Sequence, residues 1–94
     1  MTKAQMSENG RICWVEADEY VLGQEFTITA GVSVRLSGKG EPPYVEAHIR
    51  RDYVILDCWG EEIDLTGLEG KKVEEHMIEA AERAAIEHAT SLTA

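Results

Sequence analysis

The sequence predicts an α+β protein in which a small antiparallel sheet of four to five strands packs against one C-terminal helix. Two observations lead to this class. β-Prone segments with alternating apolar and polar residues fill roughly the first two thirds of the chain, and the last third has apolar residues at helical spacing. No strand–helix–strand unit recurs, which argues against a parallel sheet. A length of 94 residues suits a single domain, here residues 1–94.

The sheet is predicted over residues 11–65, after a polar segment, residues 1–9, that predicts a flexible leader. Apolar and polar residues alternate from 26 to 37, which is typical of a strand with one buried face. This alternation continues through Gly31 and favours one long strand over a hairpin tip at that point. Gly23 and its polar neighbours predict a turn before the strand.

The second half of the predicted sheet is built from shorter pieces. Residues 37–43 (SGKGEPP) predict a loop, and residues 44–50 alternate as a second clear strand. Residues 53–59 (YVILDCW) are apolar on both faces, which indicates a central strand. Residues 60–62 predict a turn, and residues 63–65 predict a short returning strand.

The C-terminal helix is predicted over residues 66–89, and the tail, residues 90–94, is expected to fray. Thr66 and Glu69 have the spacing of a capping box, in which Thr66 is the N-cap. One stripe of the helix should pack on the sheet. The stripe consists of Val73, Met77, Ala80, Ala81, Ala84 and His88.

Charge is unevenly distributed along the chain. The formal net charge is −9, and residues 57–87 carry ten acids and three bases. Direct binding to nucleic acid is disfavoured, because it depends on lysine and arginine at the phosphates. A basic protein surface, such as that of a nucleic-acid-binding host protein, is the more natural partner. Solubility alone would also explain the charge.

No residue pattern predicts a catalytic, cofactor or metal site. His76 and His88 lie twelve residues apart, more than three helical turns, and the HExxH zinc motif is absent. Cys13 and Cys58 lack a CxxC partner and are expected to be buried free thiols. The alternative, a disulfide between them, requires neighbouring strands, and a cytosolic setting argues against it. His48 is expected to be a surface residue of a strand. We therefore expect a protein that is not an enzyme.

The candidate binding residues form an acidic set and an aromatic set. The acidic set is either a solvated face or a partner-binding surface, and it consists of Asp57, Glu61, Glu62, Asp64, Glu74, Glu75, Glu79 and Glu82. The aromatic set is predicted on the sheet face away from the helix, either as an interface or as local packing. It consists of Trp14, Tyr44, Tyr53 and Trp59, with His48 and Ile55 beside them.

One part of the chain resembles a known type of protein. Gly60, the run Ile63-Asp64-Leu65-Thr66, Leu68 and the helix that follows are similar to small acidic phage and prophage proteins, in which a strand, a turn and a return strand lead into a Glu- and Ala-rich helix. This resemblance implies a mobile-element origin. Small acidic phage proteins include inhibitors of host nucleic-acid-binding defences, such as anti-CRISPR proteins.

The sequence therefore predicts a non-enzymatic acidic protein that binds and inhibits a basic host protein. The alternative is a phage structural or assembly protein that self-associates, as in a homodimer, through its aromatic face or sheet edge. No apolar run reaches the roughly 20 residues of a membrane helix, and the polar N-terminus lacks the apolar centre of a secretory signal. We expect a cytoplasmic protein without membrane contact.

Overall fold

A five-stranded antiparallel sheet packs against a single C-terminal helix, which confirms the predicted α+β class. The computed structural model describes residues 2–37 and 44–93. Its elements are β1 (Lys3–Met6), β2 (Ile12–Val21), β3 (Gln24–Ser37), β4 (Tyr44–Ile49), β5 (Val54–Leu56) and α1 (Leu68–Thr93). The strand order is β1-β2-β3-β4, and β5 also pairs with β3. The loop predicted over residues 37–43 lies, beyond Ser37, outside the described residues.

Strand β3 organises the sheet. It is one continuous strand through Gly31, as its alternation predicts, and it pairs with β2 over ten residue positions. Its other edge pairs first with β5 and then with β4. Residues 50–53 connect β4 to β5. This four-residue segment lies opposite only two residues of β3, residues 30 and 31. Because the excess is two residues, the alternation of faces is kept and both short strands present odd-numbered residues to the helix.

The core lies between the sheet and one face of α1. The largest fully buried side chains are Ile28, Met77, Val15, Val32 and Cys13. Burying an aliphatic side chain of this size contributes about 1.5–3 kcal/mol. From α1, the buried residues are Val73, Met77, Ala80, Ala81, Ala85 and Ala89. The predicted stripe is largely correct, although Ala84 and His88 remain partly exposed. Its small alanine side chains let the helix pack close to the sheet.

The N-terminal segment differs from the predicted flexible leader. Residues 3–6 form β1, which pairs with residues 13–16 of β2. Ala4 and Met6 pack against the core, whereas Lys3 and Gln5 are exposed. The sequence did not reveal this strand, because the alternation covers only four residues and only two of them are apolar. The structure therefore extends the sheet by one edge strand at the N-terminal side.

The boundaries of α1 also differ from those predicted. The capping box is wrong: α1 begins at Leu68, and Gly67 accepts the first helical hydrogen bond, from the N–H of Lys71 at 2.9 Å. The Thr66 hydroxyl bonds Asp64 instead. At the other end no Gly or Pro interrupts the helix, and it continues to Thr93, past the predicted end at residue 89.

Residues 53–65 contain less strand than predicted. Only Val54–Leu56 form β5, and the predicted returning strand, residues 63–65, does not form; a single bridge between Leu56 and Glu62 lies just before it. Residues 64 and 65 cross close over the first turn of α1. A side chain at Gly70 would collide with the backbone carbonyl of Asp64, so the crossing requires glycine there.

Candidate functional site

Two glutamates of the acidic set fasten the helix to the edge of the sheet. The Tyr53 hydroxyl donates a hydrogen bond of 2.6 Å to Oε2 of Glu74. The backbone N–H of Ile49 donates one of 3.0 Å to Oε2 of Glu82. Because Arg50 bonds Gly31 of β3, the amide of the preceding residue Ile49 points to the free edge of β4. Glu82 therefore covers an edge amide, and both glutamates serve the fold.

Two aspartates of the acidic set build turns. Oδ1 of Asp57 accepts hydrogen bonds from the backbone N–H groups of Trp59 at 2.9 Å and Glu61 at 3.0 Å. Oδ1 of Asp64 accepts bonds from the hydroxyl and the N–H of Thr66, and these bonds lower the pKa of Asp64. Asp and Asn are favoured in turns for this reason. Asp57 and Asp64 thus shape the path from β5 into α1.

The other four acids of the set are exposed: Glu61, Glu62, Glu75 and Glu79. We call them the free carboxylates. None of them forms an ion pair with any residue in the described ranges, although Lys71, Lys72 and Arg83 lie on the same helix as two of them. No cation in residues 2–37 and 44–93 therefore neutralises them. This separates the acidic set into four residues that hold the fold and four that are available to a partner.

Trp14 lies at the centre of the sheet face that α1 leaves uncovered. Its side chain is 49% exposed and its ring lies against Gly31, where an added Cβ would be 2.8 Å from Cζ3 of Trp14 and 3.2 Å from Cδ of Arg50. Beside the ring is a shallow depression of about 250 Å³, lined in part by Lys3, Glu16 and other outward-facing residues. The predicted outward position of Trp14 is correct.

The other aromatic residues do not join Trp14. Tyr53 faces the helix, packs against the core and bonds Glu74, so its predicted outward position is wrong. Ile55 is also buried, because the even excess between β4 and β5 keeps the odd-numbered residues facing the helix, as in β4. Trp59 is 80% exposed, but in the turn after β5 and not on the sheet face. Tyr44 pairs with Ser37 through its backbone, and its side chain lies outside the described residues.

Three strongly exposed hydrophobic residues were not predicted from the sequence. Tyr20, Leu22 and Leu68 are 72%, 60% and 85% exposed. Leu22 and Gly23 form the two-residue turn between β2 and β3, and both have positive φ, 53° and 78°. The available signal was the Leu-Gly pair itself, because such turns favour Asn-Gly or Asp-Gly and a leucine there is unusual.

Groups with catalytic or metal-binding chemistry are scattered. No cluster of three or more His, Cys, Asp or Glu side chains that could hold a metal ion occurs among residues 2–37 and 44–93. Cys13 is buried, which raises the pKa of its thiol, and Cys58 is exposed, contrary to the expectation of two buried thiols. Both are free. His48 is exposed on the uncovered face opposite Ser33, as predicted.

Comparison of the chain with protein-family models, with curated proteins and with solved structures found no match. Within the described part of the chain, no helix combines the length and the apolar composition needed to cross a bilayer.

Proposed function

We propose that this protein is a non-enzymatic binding module whose free carboxylates occupy a basic surface on another protein. The observation that carries the proposal is their lack of partners. The side chains of Glu61, Glu62, Glu75 and Glu79 are exposed and form no ion pair within the described part of the chain, whereas Glu74 and Glu82 of the same stretch are used by the fold. A surface whose charges are not neutralised internally can pair with cations on a partner without first breaking its own contacts.

The electrostatic field supports the same conclusion. Residues 57–87 hold ten of the eighteen acids of the chain and only three of its nine Lys and Arg residues. Such a field speeds association with a cationic surface and repels nucleic acid and anionic membrane surfaces. The Debye length is roughly 8 Å at physiological ionic strength, so the attraction should weaken as salt is added.

A more specific form of the proposal concerns the partner. Proteins that bind nucleic acid neutralise its phosphates with lysine and arginine, so the basic groove of a nucleic-acid-binding host protein fits best, and occupation of that groove would inhibit it. The sequence resemblance to small acidic phage proteins supports a mobile-element origin and an anti-defence role in the cytoplasm. These statements extend the proposal and are tested with it.

The test is affinity capture with two charge-matched variants. One variant changes the free carboxylates to glutamine, and the other changes Glu8, Glu16, Asp52 and Glu87 to the corresponding amides. Each removes four negative charges from a net of −9, and all eight residues are exposed. Nuclease-treated bacterial lysate is passed over each protein at about 50 mM salt, and the eluates are compared by mass spectrometry.

We expect the wild type and the matched control to retain the same basic, nucleic-acid-binding proteins, which the free-carboxylate variant loses. These proteins should also lose affinity for their nucleic acid when the wild type is added. Equal retention by the two variants, or retention that does not fall with salt, would refute the proposal.

Self-association is the second candidate, supported by Trp14 on the uncovered sheet face. A half-exposed tryptophan over a glycine is a suitable anchor for an interface. Self-pairing through the β4 edge is less favourable, because Glu82 already covers the Ile49 amide. Light scattering across concentration tests this: a dimer that Trp14→Ala dissociates supports it, and a strict monomer at high micromolar concentration removes it.

A further inference from the structure

The end of the molecule that carries the β2–β3 turn concentrates exposed apolar side chains. Four of the seven large exposed hydrophobic residues in the described ranges lie in segments that meet there: Tyr20, Leu22, Trp59 and Leu68. The pairing of β5 with the start of β3 brings residues 57–60 to this end, and the first turn of α1 lies beside the β2–β3 turn. We call this region the hairpin end.

A cleft of about 280 Å³ opens at the hairpin end between the β2–β3 turn and the start of α1. Its lining combines apolar side chains, which include Leu22, Phe26, Ile63 and Val73, with a polar surface that includes Gln24, Asp64 and Glu69. This volume lies below the roughly 300–1,000 Å³ of sites for drug-sized molecules. It suits one side chain of a protein partner.

The backbone conformation at Leu22 is energetically unfavourable for leucine, yet leucine occupies this position. A positive φ costs an L-residue roughly 1–2 kcal/mol, and asparagine tolerates it far better. Leucine at 53° is therefore a poor choice for the turn, and its side chain does not repay the cost by burial, since it is 60% exposed. Strain that the fold does not need is expected at binding sites.

The charge around the cleft specifies what can enter it. Residues 19–25 and 57–72 together carry seven acidic and two basic side chains. A second copy of the chain would bring two such acidic ends together, and an anionic membrane surface would be repelled. A cationic segment with an apolar side satisfies both the cleft and the charge.

We propose that the hairpin end binds a cationic amphipathic segment of a partner protein, with an apolar side chain of that segment in the cleft beside Leu22. This rests on the proposed function, because it assigns the contact to the same basic partner. The free carboxylates Glu61 and Glu62, close to the cleft in sequence, pair with the flanking cations. The apolar contacts set the affinity, and the charges set the rate of association.

The probe is a Lys/Leu peptide of about 18 residues with its leucines on one helical face, compared with a peptide of the same composition whose leucines are dispersed. Affinities are measured by fluorescence anisotropy at low and high salt. Leu22→Asn removes the apolar anchor while fitting the turn, so this variant should fold. Ile86→Gln is the control, since Ile86 is an exposed apolar residue of α1 outside the cleft.

We expect tighter binding of the amphipathic peptide, a loss of about tenfold for Leu22→Asn, and no change for Ile86→Gln. Equal binding by wild type and Leu22→Asn, with binding still lost in the free-carboxylate variant, would overturn this inference and leave the proposed function in place. If the wild type binds neither peptide at low salt, the proposed function fails as well. A wild-type dimer that excludes the peptide would assign the hairpin end to a second copy and overturn the inference.

Discussion

Replacing Glu82 with alanine should destabilise the fold, although the residue lies in a stretch whose composition is that of a solvated helix face. The change leaves the Ile49 N–H at the sheet edge without its carboxylate acceptor. A hydrogen bond to a charged group contributes about 1.5–3 kcal/mol, and since both residues are only partly buried, water recovers some of this. We expect a loss of about 1–2 kcal/mol in the free energy of unfolding.

The assay is urea unfolding followed by circular dichroism, with thermal unfolding as a second reading. For a domain of this size, 1 kcal/mol shifts Tm by roughly 4–8 °C. Glu79→Ala is the matched control on the same helix, because Glu79 is exposed and its change should stay within about 0.5 kcal/mol. Glu82→Gln keeps an acceptor oxygen and should recover part of the loss. If Glu82→Ala and Glu79→Ala have the same stability, the hydrogen bond to Ile49 does not hold the edge.

Three further changes probe other parts of the fold. The hydrogen bond to Glu74, and to a lesser extent burial, raises the pKa of Tyr53 from 10.0 to about 12. The wild type should therefore be more stable than Tyr53→Phe below pH 10 and should lose this advantage between pH 10 and pH 12. Parallel curves of stability against pH for the two proteins would contradict this. Gly70→Ala should lower the unfolding free energy measured in urea by more than about 2 kcal/mol, because the new Cβ would collide with the Asp64 carbonyl. Gly67→Ala, where the Cβ would enter open space, should cost about 1 kcal/mol or less. Similar losses for the two variants would argue against the close crossing. Leu22→Asn should raise the unfolding free energy by about 0.5–1 kcal/mol in the same assay, and a destabilised variant would remove the argument from strain.

The fold class was readable from the sequence because its strongest elements have long, regular patterns. The alternation of β3 and the alanine-rich stripe of α1 each extend over many residues, and both predictions are confirmed. Short elements were not readable in the same way. β1 has only two apolar residues. Residues 53–59 are apolar on both faces, so their pattern does not show which face is buried, and Tyr53 and Ile55 were placed on the wrong face.

The candidate site was predictable in composition but not in role. The acidic set was found from charge alone, yet charge does not distinguish Glu74 from Glu75 or Glu82 from Glu79. Their difference arises in the fold, because only Glu74 and Glu82 reach groups on the β4–β5 edge. Leu22 was missed for a related reason: its significance depends on its φ and its exposure, which follow from the hairpin register.

The division of the acidic set is tested most directly by two double variants with equal charge, Glu74→Ala/Glu82→Ala and Glu75→Ala/Glu79→Ala. Unfolding free energy and capture of basic proteins at low salt are measured on both, at a temperature where both are folded. We predict that the first variant loses about 2–4 kcal/mol of stability but retains most of its captured partners. The second should keep its stability and lose much of the capture. Equal behaviour of the two variants in both measurements would contradict the division between carboxylates that hold the fold and carboxylates that bind a partner.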